Sequence, residues 1–331
     1  MRFRIGAFAL GLALLGYAPL DAQEVSKAIF NKVRERCVEV QINGQLRGGG
    51  AFVRNKEGRI FILTAAHLFA SPRETCEIVT HDDKTYFASL SAYDLGHDLA
   101  LLELPPETAR YGALEVAKEV PTETTPVFNF GPALRRSILV LPGTIADSTV
   151  TYTDFASSRG YLAHIFVAGI SPILTSGGIW VDRLGNVVGV QHGRLIGDEG
   201  APSSGLSMVS PPEAVAALLA SNDLAKTPGL GGYVWEIQNV ESAILKKFPE
   251  GVSGLLVRPL VDDQPLDKAG VKLHDLIMTC DGVNLRRRQT LLNLIRAKPP
   301  GSTFQLQVLS PGAGQTRTVT LTTNCLEDLW R

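Results

Sequence analysis

Short apolar runs separated by turn residues dominate the chain between positions 38 and 191. Val38–Ile42, Gly50–Val53, Ile60–Thr64, Leu99–Leu104, Val127–Phe130, Ile165–Ala168, Ile179–Val181 and Val187–Gln191 all have strand length. This spacing predicts an antiparallel barrel or sandwich, not strands alternating with helices. Pro211 to Ala220 breaks the pattern and predicts a helix, with Ser210 as N-cap and Pro211 in its first turn. Ser221 to Gly232, containing Lys226-Thr227-Pro228-Gly229 and Gly231-Gly232, has linker composition. Strands then return at Leu255–Val257, Leu276–Cys280, Phe304–Leu309 and Val319–Thr323, with helical patches at Glu241–Phe248 and Arg288–Ala297. The expectation is a mostly β chain, a larger β domain followed by a small α+β one. Arg286-Arg287-Arg288 reads as the solvated start of the last helix.

The first 22 residues follow a different rule. Arg2 and Arg4 precede an almost wholly apolar Ile5–Ala18, and Leu20-Asp21-Ala22 ends on a small residue. That order is expected of a cleaved secretory signal peptide, with an uncleaved membrane anchor as the alternative; the apolar run is short for a bilayer span. It places the protein in the periplasm or outside the cell.

Composition adds little beyond this. With 331 residues, 45% hydrophobic and 20% charged, the chain has material for about two globular domains. A net charge of −1 offers no electrostatic reason to expect nucleic acid as a partner. No spacing of Cys, His, Asp or Glu resembles a metal site, and no cofactor is implied. Cys37 and Cys76 fall in the first domain, Cys280 and Cys325 in the second. Only one of the three pairings keeps both bridges within domains, so Cys37–Cys76 and Cys280–Cys325 are the expected disulfides in an exported protein. The first would be worth roughly 4 kcal/mol. Four buried free thiols are the alternative.

The chemistry lies in three segments. Thr64-Ala65-Ala66-His67 ends an apolar strand, His97-Asp98-Leu99-Ala100-Leu101-Leu102 opens another, and Thr175-Ser176-Gly177-Gly178 precedes a third. A serine hydroxyl is a poor nucleophile until an imidazole takes its proton and a carboxylate holds that imidazole in one tautomer. His67, Asp98 and Ser176 are therefore candidates for general base, orienting acid and nucleophile. A turn-forming role for Asp98, or Asp94 in its place, is the competing reading.

These segments resemble the HtrA-type branch of the trypsin-like serine proteases. The likeness runs through Gly48-Gly49-Gly50-Ala51-Phe52-Val53, the hairpin at Lys56-Glu57-Gly58, and Asp182-Arg183-Leu184-Gly185-Asn186-Val187 after the serine. It implies a double β-barrel over residues 23–220 and hydrolysis of peptide bonds in unfolded or misfolded proteins. It implies backbone N–H groups of Leu174 and Ser176 as oxyanion hole. It also implies Gln191, His192 and Gly193 as the strand that pairs with substrate, His192 being equally readable as a surface residue. Ile170 and Ser171, with Met208, would line a first pocket suited to small or medium apolar side chains. The chain departs from the family at Leu174, where glycine is usual, and at Ile179, where proline is usual. A side chain at positive φ costs of order 1–2 kcal/mol, so a peptide-binding protein or chaperone with little turnover is the alternative function.

Past the linker (221–232), residues 233–328 resemble a PDZ domain through Gly254-Leu255-Leu256-Val257, Leu266-Asp267-Lys268-Ala269-Gly270-Val271 and Asp275-Leu276-Ile277-Met278. The resemblance implies a peptide loop at Tyr233, Val234 and Trp235, although Trp235 replaces a usual glycine and Glu236 adds negative charge where a carboxylate would bind. Docking of this domain on the first is the other expectation. Polypeptide substrates, a peptide ligand of the second domain and a homo-oligomer are the partners implied.

Overall fold

The computed structural model describes residues 27–132, 138–154, 160–196, 203–221 and 223–330. The segment read as a signal peptide lies outside them. Among the described residues no helix is long and apolar enough to cross a membrane.

After helix α1 (Lys27–Arg34), six antiparallel strands close a first barrel in the order β1-β2-β3-β6-β5-β4. They are β1 (Cys37–Ile42), β2 (Gln45–Arg54), β3 (Ile60–Ala65), β4 (Thr75–Val79), β5 (Thr85–Asp94) and β6 (Leu99–Glu103). A second six-stranded barrel closes in the order β10-β11-β12-β9-β8-β7. Its strands are β7 (Pro126–Pro132), β8 (Ile138–Asp154), β9 (Tyr161–Gly169), β10 (Ile179–Val181), β11 (Val187–Ile196) and β12 (Ser203–Ser210).

Two-residue periodicity explains how one strand serves two cores. Ile62 of β3 fills the first barrel with Val38, Val40, Phe52, Ile78 and Leu102. Its neighbours Phe61 and Leu63 face the other way, into a core between the barrels shared with Phe130, Ile179 and Val190. That is why Phe61-Ile62-Leu63 is apolar without alternation. Helix α2 (Pro212–Ser221) closes this core with Val215 and Leu218. It begins at Pro212; Ser210 does not cap it but donates its hydroxyl to the carbonyl of His97 at 2.6 Å.

The expected disulfides are not formed: all four cysteines are free. Cys37 pairs across the ladder with Ala51, and Cys76 with Ala88. The first faces the core between the barrels and the second the barrel interior, so the thiols sit on opposite faces of the wall. Burial raises the Cys76 and Cys280 thiols to about 12. Cys280 is inside the second domain's core, while Cys325 donates its thiol to Glu327 at 3.2 Å.

The remaining strands are β13 (Pro228–Gly229), β14 (Gly232–Glu236), β15 (Leu255–Leu260), β16 (Leu276–Cys280), β17 (Val283–Asn284), β18 (Thr303–Leu309), β19 (Arg317–Thr322) and β20 (Asn324–Cys325). β14-β15-β16-β18-β19 form one sheet with β14 outermost, and β13 pairs with β20. The helices are α3 (Ser242–Leu245), α4 (Pro265–Lys268) and α5 (Arg288–Arg296). α3 covers only half of the Glu241–Phe248 patch. The head of α5 is not merely solvated: Arg288 donates from its guanidinium to Tyr152 O at 2.9 Å, and its N–H donates to Glu236 at 3.0 Å. Of the segment read as a linker, residues 223–232 are packed, with Ala225 N donating to Tyr93 O at 2.9 Å and Thr227 buried.

Candidate active site

His67 sits on a single 3₁₀ turn, Ala66–Leu68, where β3 leaves the barrel. Asp98 closes the turn from β5 to β6, at φ +55° and only 4% exposed. A non-glycine residue holds that left-handed conformation only when its surroundings fix it. Here they do: Asp98 Oδ2 lies 2.5 Å from His67 Nδ1, and Oδ1 accepts from the His67 backbone N–H at 2.8 Å. Ala66 N donates to Asp98 O at 3.1 Å. Burial works against a charged His67, but the charge of Asp98 and its hydrogen bond outweigh that and hold the imidazole above its ordinary pKa. Asp94, the competing aspartate, is engaged elsewhere, with Oδ2 2.7 Å from His97 Nδ1.

The Ser176 loop is held by backbone from both barrels. Its carbonyl accepts from Gly49 N at 2.8 Å, and Gly177 N donates to Gln191 O at 2.7 Å. Thr64, three residues before His67, donates its hydroxyl to Gly49 O at 2.6 Å. Gly177 has φ +77°, and a Cβ there would fall 2.2 Å from Gly49 O and 2.4 Å from Thr64 Oγ1. At Gly48 a Cβ would meet Ser176 O at 2.2 Å and Leu68 Cδ1 at 2.8 Å. These two glycines let the serine loop lie directly against the strands that carry the histidine.

Leu174 occupies the residue before Thr175 at φ +73°. It lies in a turn whose first carbonyl, Pro172 O, accepts from Thr175 N at 3.4 Å and Thr175 Oγ1 at 2.7 Å. Positive φ at the third turn position is the type II arrangement that glycine usually supplies. Leucine holds it here.

The substrate-strand candidates behave differently from one another. Gln191 is buried and its side chain is structural, accepting from Trp180 Nε1 at 2.7 Å and donating to Gly193 O. His192 is buried, not a surface residue; its ring centroid lies 5.4 Å from that of His164. Gly193 pairs with Met208 in the β11–β12 ladder, and Met208 is buried. Of the first-pocket candidates Ile170 is 71% exposed, whereas the Ser171 and Ser207 hydroxyls are bonded to each other. Sequence reasoning missed Arg194, which donates to Ser171 O at 3.0 Å, and His164.

At the peptide-loop candidates, the Tyr161 hydroxyl accepts from Val234 N at 2.7 Å and donates to Val234 O at 3.2 Å. The Tyr233 ring lies 5.5 Å edge-on to Tyr161, and Trp235 lies 4.9 Å beneath the Arg258 guanidinium. Backbone groups on the sheet's outer strand, which an added peptide strand would use, are thus taken at Val234 by the first domain. No local signal marks Tyr161, 73 residues away. Among the described residues no cluster of His, Cys, Asp or Glu is arranged to hold a metal ion.

Comparison with known proteins finds the following similarities. Residues 48–190 match the trypsin-like peptidase domain family and residues 230–322 the PDZ domain family. Serine protease Do-like HtrA of Bacillus subtilis is 22% identical over 325 residues, covering 94% of this chain and 71% of the relative. A probable periplasmic serine endoprotease DegP-like of Ectopseudomonas mendocina is 28% identical over 291 residues, covering 83% and 56%. The chain thus spans little more than half the length of that relative. Among solved structures, the HtrA-type protease AlgW with decapeptide superposes with a TM-score of 0.64 at 16% identity, covering 90% of this chain and 97% of that one. The serine endoprotease from Yersinia pestis gives 0.56 at 18% identity, covering 89% and 97%.

Proposed function

We propose, from the premise that this chain belongs to the HtrA-type trypsin-like serine proteases with a PDZ domain, that it is an exported serine endopeptidase acting on unfolded polypeptides. The observation that carries the reading is the grip of Asp98 on His67, one carboxylate oxygen on the ring and the other on the backbone. A carboxylate so placed holds Nδ1 protonated and leaves Nε2 as the base for a hydroxyl.

The roles are those of the serine–histidine–aspartate template. Ser176 Oγ attacks the scissile carbonyl as His67 takes its proton, and His67 returns that proton to the leaving amine. Asp98 stays ionised and stabilises the imidazolium between the two steps. The N–H groups of Leu174 and Ser176 receive the oxyanion; the positive φ of Leu174 supports this, since that is the conformation glycine provides in the family. Substrate pairs along Gly193 at the open side of β11, with Met208 beneath it. The protein works in the periplasm or outside the cell, and no metal or cofactor takes part.

The test is fluorophosphonate labelling of the mature protein, wild type beside Ser176→Ala, with the modified residue located by mass spectrometry. Labelling confined to Ser176 is expected. Absence of an adduct, with unfolded polypeptide still bound, would replace the endopeptidase by a peptide-binding protein.

A further inference from the structure

The turn that delivers Asp98 is built from two domains. Asp94-Leu95-Gly96-His97-Asp98 links β5 to β6, and several of its backbone groups have partners outside the ladder. Asp94 Oδ1 accepts from Gly96 N at 2.8 Å and His97 N at 3.1 Å. Gly96 O accepts from Ala163 N at 2.8 Å, and His97 O from Ser210 Oγ at 2.6 Å. Leu95 N donates to Glu327 Oε1 at 3.0 Å, across 232 residues of sequence.

Glu327 is 3% exposed, and its other oxygen accepts from Thr227 N at 2.8 Å. Thr227 in turn directs its hydroxyl at Asp94 Oδ1, 3.4 Å away. The Arg296 guanidinium, from the end of α5, lies against Gly96 so closely that a Cβ there would be 2.2 Å from Nη1. Three residues outside both barrels therefore press on a five-residue turn that ends in a left-handed Asp98. Such a conformation persists only where neighbours over-determine it.

We propose that Glu327 is a positioning residue for the triad, acting through Leu95 and the Asp94–Asp98 turn, with Thr227 and Arg296 completing the support. The proposal rests on the endopeptidase reading, in which Asp98 orients His67. Its consequence is that the second domain and the residues after it supply part of the catalytic geometry, beyond any service in substrate capture.

The experiment compares wild type, Glu327→Gln, Glu327→Ala and Gln289→Ala as full chains. Gln289 donates to Val150 O at 2.7 Å and to Asn293 Oδ1 at 3.3 Å at the same interface, not to the turn, and serves as control. Fluorophosphonate labelling, kcat and KM on a quenched-fluorescence peptide, and the low-field proton resonance of His67 Nδ1 are measured. Glu327→Gln keeps the shape but sets an amide N–H against a backbone donor. It is expected to lower kcat about tenfold or more with KM within about twofold, and to weaken the His67 resonance, since small misplacements of catalytic groups are costly. Glu327→Ala is expected to lose more, and Gln289→Ala nothing. Glu327→Ala is read only if it folds; Glu327→Gln, being isosteric, decides the matter if it does not. Equal kcat in Glu327→Gln and wild type, or an equal fall in Gln289→Ala, overturns the positioning role. An unlabelled wild type would instead remove the endopeptidase reading, and this proposal with it.

Discussion

Both carboxylate oxygens of Asp98 are directed at His67, Oδ2 to the ring nitrogen at 2.5 Å and Oδ1 to the backbone N–H at 2.8 Å. One oxygen fixes where the histidine sits and the other fixes which tautomer it holds. Asp98→Asn keeps the shape but can present an N–H to the ring, favouring the wrong tautomer. A fall of about 10⁴ in turnover is expected. It should be accompanied by a shift of the acidic limb of the kcat/KM profile to lower pH, since His67 loses the charge that raises its pKa. In the wild type that limb should lie above the unperturbed value of about 6.5, activity being lost as pH falls through the raised pKa. A wild-type limb at or below that value would contradict the grip.

Leu174 is the second test, because it keeps a left-handed backbone without being glycine. Leu174→Gly removes a strain of roughly 1–2 kcal/mol and should leave turnover unchanged or raise it. Leu174→Val places a branched Cβ in the same conformation and should flip the turn out of it. The loss of one oxyanion donor is then expected, about 10²–10³ in kcat. Active-site titration separates this from loss of folded enzyme, and equal turnover in all three proteins would remove Leu174 N–H from the oxyanion hole.

Much of this was legible in the sequence, and for a physical reason. Strand period and turn residues are local, so the barrel runs between Val38 and Gln191 appear in the structure as strands. Asp98 could be chosen because it opens an apolar strand that must be buried, and it is the aspartate bonded to His67. What escaped notice depends on contacts distant in sequence. Glu327 bonds Leu95 and Tyr161 bonds Val234, and neither pair has a local pattern. The cysteine expectation failed because counting thiols ignores which face of a strand each occupies. His192 was left open because a buried neutral histidine and a surface one have the same letter.

Tyr161 offers a measure of how the two domains are joined. Its hydroxyl satisfies both backbone groups of Val234, which is fully buried. Tyr161→Phe keeps the ring contacts but strands a buried N–H and C=O, at a cost of about 1–3 kcal/mol. Urea unfolding followed by a probe in each domain should show a lower midpoint, with the second domain losing its protection from exchange at Val234. An unchanged midpoint would mean that water replaces the hydroxyl and that Val234 is more accessible than the packing indicates.

The paired histidines His164 and His192 are expected to weaken the fold in acid. Burial lowers His164 to about 4, and lowers His192 well below its usual value, with His164 adding repulsion to the burial effect. In the unfolded chain both titrate near the ordinary value of about 6.5. Their folded pKa values are depressed, so the unfolded state binds more protons in this range. Stability is therefore full above about pH 6.5 and falls with acidification. His164 alone contributes a loss of roughly 3 kcal/mol by pH 4, where it is half protonated in the folded chain and almost wholly so in the unfolded one. His164→Phe cannot be protonated, and its ring would rest against Phe166, 5.0 Å from His164 in the native protein. Its stability should decline less steeply than that of the wild type between pH 6.5 and 4, by urea midpoints at each pH. Parallel curves for the two proteins would show that water reaches His164 and that acid unfolding starts elsewhere.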